Sequence, residues 1–223
     1  MTACGGIEAC TIFFVSWSPD GQELAYVSAW PGHRDQLCVV GKDGGSPQVL
    51  HEASVLDRVS WLRDGSALVI DETRSAGEDF DIKIIERNSG QVQELQGSKR
   101  SAYPAVSPDG RYIAAVTEDG KQLQIYDFQS QAWQKYAPAA GAGMPSWSAD
   151  SQYIYFDNGL RADSAVYRIR IADHKVQQVA SLKNTRRAIW GNLPWFGLTP
   201  KNEPLVLRDI GSQEVYALDF EEP

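Results

Sequence analysis

Four aspartates stand in near-copies of one six-residue run. Asp20 lies in S-W-S-P-D-G (16–21), Asp64 in S-W-L-R-D-G (60–65), Asp109 in A-V-S-P-D-G (105–110) and Asp150 in S-W-S-A-D-S (146–151), at steps of 44, 45 and 41 residues. Carboxylates recurring in one chain could do general acid–base work, provided they converge on one site that drives their pKa values apart. A plainer chemistry accounts for every letter of the run. Proline pre-sets φ, aspartate bonds the backbone that follows it, and glycine accepts a positive φ, so the run reads as a tight turn. A fixed step also distributes the four carboxyls one per repeat, away from one another. Asp20, Asp64, Asp109 and Asp150 are therefore assigned to turns, and no catalytic residue is assigned.

Other reactive side chains form no constellation. His33, His51 and His174 are scattered, and the three cysteines, Cys4, Cys10 and Cys38, make no C-x-x-C. A tetrahedral metal site needs clustered ligands, so no metal and no cofactor is expected. Free thiols are the expectation for the cysteines, with a Cys4–Cys10 disulfide after export as the alternative. The G-x-S-x-G elbow of a hydrolase is absent. The glycosidase pattern S-x-D-x-G is not met either, because Ser18-Pro19-Asp20-Gly21 lacks the intervening residue.

Composition narrows the partners. A net charge of −8 and a pI near 4.9, with the basic pairs Lys99-Arg100 and Arg186-Arg187 isolated, leave no basic face for a nucleic acid. No apolar run approaches the roughly 18 residues that would span a bilayer. As written, the chain carries no signal peptide and reads as cytoplasmic. It would be periplasmic if a parent protein placed a membrane segment upstream.

The elements that position these residues repeat with the hexamer. Each copy leads into a short strand, expected at 23–28, 67–72, 112–117, 152–157 and 204–208, the last after a degenerate copy G-L-T-P-K-N (197–202). A third strand, a Gly, Asn or Asp turn and a fourth strand follow, as in Q-L-C-V-V, K-D-G-G and P-Q-V-L. A period of about 40–45 residues is that of a four-stranded propeller blade. The expected fold is an all-β propeller of about five four-stranded blades, or part of a six- or seven-bladed ring. An extension at 1–11 precedes repeats at 12–50, 55–95, 101–136, 143–180 and 187–223. Trp17, Trp61 and Trp147 share one repeat position and are expected in the core between blades. The fifth copy stops after its third strand, so the chain is expected not to close the ring alone.

The W-S-P-D-G runs, each followed by an apolar strand, resemble the TolB-type, WD-like repeat of bacterial propellers over about 12–222. The stretch 195–220 resembles the end of acidobacterial regulators in which a propeller follows a winged-helix DNA-binding domain or a serine/threonine kinase domain. The resemblance implies a non-catalytic binding or sensing module of a signalling or transcription-regulatory protein. The alternative is the propeller of a peptidase or glycosidase. The expected partner is a protein or small ligand at the central channel, where loops of different blades converge. Trp30, His33, Arg34, Trp190 and Trp195 are the candidate contacts, because aromatic and arginine side chains anchor interfaces.

Overall fold

The computed structural model describes residues 10–73, 75, 78–136, 141–159, 163–190 and 193–211. Among them there is no helix. The first blade is β1 (Thr11–Trp17), β2 (Glu23–Ala29), β3 (Asp35–Gly41) and β4 (Gln48–Ala53). The second is β5 (Val55–Trp61), β6 (Ala67–Thr73), β7 (Asp81–Glu86) and β8 (Val92–Glu94). The third is β9 (Ser101–Val106), β10 (Tyr112–Thr117), β11 (Leu123–Asp127) and β12 (Ala132–Tyr136). The fourth is β13 (Ser146–Trp147), β14 (Tyr153–Asp157), β15 (Ala165–Arg170) and β16 (Val176–Ser181). Each is an antiparallel meander in which sequence neighbours are sheet neighbours. After them come the pairs β17 (Ile189–Trp190) with β18 (Leu193–Pro194), and β19 (Phe196–Leu198) with β20 (Pro204–Val206). The third strand expected in the fifth copy, at 215–219, lies outside the described residues.

The inner strands of blades two and three bury both faces because each of these blades is sandwiched between two others. Along β6 the side chains alternate. Leu68 and Ile70 join Val27, Val39 and Trp61 in the core between blades one and two, while Val69 joins Ile113 and Ala115 between blades two and three. Ile154, Phe156 and Trp147 close the next interface against Ala114, Val116 and Ile125. Tyr155, Val166 and Phe196 close the one after that. A two-faced apolar strand of six or seven residues is the local consequence of this radial packing.

The turns follow from the hexamers. In blade one the Ser18 hydroxyl donates to Asp20 Oδ1 at 2.6 Å, and the Gln22 N–H donates to the same oxygen at 3.0 Å. Asp109 receives Ser107 and Arg111 in the same way, Asp150 receives Ser148 and Gln152, and Asp64 receives both donors of Ser66. Gly21, Gly65 and Gly110 hold φ at 67°, 71° and 76°. Ser151 and Asn202 take the glycine position with φ of 59° and 64°. Each then accepts a hydrogen bond from the backbone of the preceding blade's turn: Asp109 N–H to Ser151 Oγ at 3.0 Å, and Ala149 N–H to Asn202 Oδ1 at 2.8 Å.

Two expectations need correction. Cys10 is disulfide-bonded, against the free-thiol reading, while Cys38 is a free, buried thiol. Trp17 is 56% exposed, whereas Trp61 and Trp147 are buried. The reason is a recurring contact. Trp61 Nε1 donates to Ser16 O of the preceding blade at 3.0 Å, and Trp147 Nε1 donates to Ala105 O at 2.8 Å. Trp17 occupies the same position of the first blade, where no blade precedes it among the described residues, so its ring has nothing to pack on.

Candidate functional site

The inner strands of the first three blades, β1, β5 and β9, carry a bulge, which shows as a break in register against β2, β6 and β10. In the second blade Asp57 and Arg58 stand opposite Asp71 alone. A bulge re-aims a side chain that regular pleating would bury between sheets. The residue three before the repeat's tryptophan position is Phe14, Arg58, Tyr103, Met144 and Trp195 in blades one to five. Phe14 and Tyr103 take φ of 50° and 57°, a backbone seldom adopted outside glycine.

Four of these five equivalent residues meet at the centre, and the fifth, Tyr103, reaches one of them. An open cleft of about 410 Å³ is lined by Phe14, Arg58, Met144 and Trp195 together with neighbours on the inner strands, among them Phe13, Ser60, Ser146 and Phe196. The Phe14 and Tyr103 rings approach to 6.3 Å between centroids, spanning blades one and three. Arg58 Nη1 donates to Pro145 O at 2.9 Å, spanning blades two and four. Among the described residues Arg58 is the only charged one in the cleft lining, and its other guanidinium nitrogens carry no protein hydrogen bond there.

Behind Arg58 lies a compact group of ionisable side chains. Asp71 is fully buried and accepts the Arg58 N–H at 2.7 Å and the Tyr103 N–H at 2.8 Å. Burial, then the charge of Asp57, holds its carboxyl above the ordinary range against those two hydrogen bonds. Burial likewise raises Asp57, against the pull of the Tyr103 hydroxyl and of Arg58. The Tyr103 phenol is raised by burial and by both carboxyls, and burial lowers Arg58. Asp157, at the position of Asp71 two blades on, pairs with buried Arg187, whose Nη2 donates to Trp195 O at 2.9 Å.

The sequence-based candidates divide. Trp195 lines the cleft and is 38% exposed. Trp30, His33 and Arg34 sit together in the β2–β3 loop of the first blade and outside the cleft lining. The Trp30 and His33 rings are 5.3 Å apart, and Arg34 Nη2 donates to Glu52 O at 3.0 Å. The side chain of Trp190 lies outside the described residues. Phe14, Arg58, Tyr103 and Met144 escaped the sequence reading. The signal that finds them is their offset of three from the repeat's tryptophan position.

A larger groove, about 670 Å³, lies beside the second blade between Glu78 and Lys99. All of its lining comes from that one stretch of chain, so nothing converges there, and the central cleft is the better candidate. Among the described residues no group of histidine, cysteine or acidic side chains could hold a metal ion.

Comparison with known proteins agrees on the fold. The model of the lipoprotein LpqB beta-propeller domain matches residues 5–96. An uncharacterized peptidase, YuxL, of Bacillus subtilis is 25% identical over 146 residues, covering 65% of this chain and 21% of its own length. TolB of Acinetobacter baumannii superposes with a TM-score of 0.70 at 17% identity, covering 86% of this chain and 47% of that one. A putative TolB from Agrobacterium tumefaciens gives 0.65 at 20% identity, covering 78% and 68%. The chain thus spans about a fifth of the peptidase and about half of the Acinetobacter TolB.

Proposed function

On the premise that the chain is a TolB-type β-propeller, we propose that it is a non-catalytic binding or sensing module whose ligand seats in the central cleft. In this reading it serves as the propeller of a bacterial signalling or transcription-regulatory protein. One observation carries the proposal: the same repeat position of blades one, two, four and five supplies four different side chains, Phe14, Arg58, Met144 and Trp195, to one cleft. Repeats that served packing alone would keep one kind of residue there, as three positions on they keep an apolar one, Trp17, Trp61, Val106, Trp147 and Leu198.

The lining also indicates what would bind. Among the described residues it offers aromatic, aliphatic and hydroxyl groups with one guanidinium, and no imidazole or carboxyl to move a proton at neutral pH. A planar guanidinium among aromatic rings recognises an apolar or aromatic group bearing a carboxylate, such as a protein C-terminus or a small aromatic acid. N-acetyl-L-phenylalanine and its amide test this by calorimetric titration. A charge-assisted hydrogen bond is worth about 1.5–3 kcal/mol, so the acid should bind roughly tenfold to a hundredfold more tightly than the amide. Arg58→Gln should level the two. Equal binding of acid and amide to the unaltered protein would overturn the ligand assignment.

A second reading has support in the likeness to the YuxL peptidase: the propeller part of a peptidase whose catalytic residues lie elsewhere. Peptide p-nitroanilides turned over by a longer natural chain that includes this propeller, and not by this chain alone, would favour the peptidase reading. Turnover by this chain alone would displace both.

A further inference from the structure

The acid at the fifth position of the second strand is unusual in its setting. β6 (A-L-V-I-D-E-T) is buried along its whole length, and β14 (Y-I-Y-F-D) ends in a buried Asp157. The equivalent residues of blades one and three, Val27 and Val116, are apolar. A carboxylate in such a strand is costly to bury unless its oxygens are fully engaged.

Asp71 engages both oxygens with backbone. Oδ1 takes the N–H of Arg58 and Oδ2 takes the N–H of Tyr103. Both donors lie in the bulges of β5 and β9, and a bulge removes its residues from the ladder. One side chain therefore satisfies the displaced amides of two adjacent blades; one belongs to Arg58, which lines the cleft, and the other to Tyr103, whose ring approaches that of Phe14 in the lining.

We propose that Asp71 is a positioning residue of the central site, fixing Arg58 and Tyr103 through their backbone amides as one two-handed clamp. The inference rests on the cleft being the binding site. Asp157 parallels it in the fourth blade, reaching the Trp195 carbonyl through Arg187.

The clamp is strongest as a carboxylate. An ionised carboxyl is a strong acceptor on both oxygens, whereas a protonated one keeps one carbonyl oxygen and a hydroxyl that accepts more weakly. Protonation therefore loosens the hold on one of the two inner strands. The groups that face Asp71 are Asp57 and Arg58 from β5 and Tyr103 from β9. Asp35 from β3 adds its charge to Asp57. Removing the Asp57 charge makes ionisation of Asp71 easier.

An NMR pH titration of the 15N-labelled full chain, without ligand, reads the clamp directly. The Arg58 and Tyr103 amide protons should move upfield together on acidification, with one shared midpoint above the ordinary carboxylate range. Asp57→Asn should lower that midpoint for both. Separate midpoints, a midpoint near pH 4 or indifference to Asp57→Asn would each overturn the proposal. The unaltered protein carries the main measurement, so a misfolded variant leaves it intact. If N-acetyl-L-phenylalanine fails to bind while the two amides still titrate together, the ligand assignment falls and the clamp stands. If it binds while the two amides titrate apart, the clamp falls and the ligand assignment stands.

Discussion

At the scale of single residues the hexamer is a turn whose letters have separate reasons. Glycine's reason differs from copy to copy. A Cβ on Gly21 would meet nothing within 4 Å, whereas one on Gly110 would lie 2.8 Å from Arg63 Cβ of the preceding blade. Both positions need the left-handed backbone, which costs a side-chain-bearing residue about 1–2 kcal/mol. Gly21→Ala should lose about that much in a denaturant melt, and Gly110→Ala should lose roughly 1–3 kcal/mol more from overpacking. Equal losses would show that the Arg63 contact is soft. Ser151 and Asn202 bear the same backbone strain, yet each recovers a hydrogen bond to the neighbouring blade. The turn was readable because each letter has a local cause. The side-chain bonds of Ser151 and Asn202 were not, because their partners lie 42 and 53 residues away.

At the scale of elements, the tryptophan of one inner strand and a carbonyl of the preceding blade's inner strand form the recurring joint. Trp147 is buried, stacks on Tyr112 at 5.9 Å and bonds Ala105 O. Trp147→Ala should cost on the order of 3–5 kcal/mol, as for large buried aromatics. Trp17→Ala should cost less than about 1 kcal/mol, since an exposed ring has little transfer energy to lose. Similar losses in urea melts would mean that Trp17 is covered in solution. The repeat spacing located the second strands to within a residue or two, from short β-branched or aromatic runs bounded by turns. Phe14, Arg58, Tyr103 and Met144 stayed hidden because they share a position and no chemistry, whereas Trp195 was a candidate by residue type. Asp71 and Asp157 left a faint signal, an acid in an otherwise apolar strand, whose meaning depends on a bulge that no residue type announces.

Elements also set the pH response. Asp20, Asp64 and Asp150 are lowered chiefly by their serine hydroxyls, and the Thr117 hydroxyl holds Asp119 at about 2. Their folded pKa values lie below the unfolded ones, so the stability they add is present above about pH 4 and fades as pH falls through that region. Asp57 and Asp71 are raised. Their protonated forms suit the fold better than the unfolded chain, so stability declines as pH rises above about 4 toward their folded values. The melting temperature should therefore peak at about pH 4 to 5 and fall on both sides. Asp57→Asn should flatten the alkaline limb. A melting temperature still rising from pH 6 to pH 8 would contradict the buried pair's role.

At the scale of the molecule, radial repetition places a variable residue from each of four blades at one cleft, and keeps the shared residues for turns and joints. That division of labour is the central claim: packing is written in what the copies share, and recognition in what they do not. The loop cluster Trp30, His33 and Arg34 is the competing location, chosen by residue type without a map of convergence. Amide chemical-shift mapping with N-acetyl-L-phenylalanine separates the two sites in one experiment. The account predicts perturbations centred on Phe14, Arg58, Tyr103, Met144 and Trp195, with Trp30, His33 and Arg34 unmoved. Perturbations centred on the β2–β3 loop, with the five cleft residues unmoved, would contradict it.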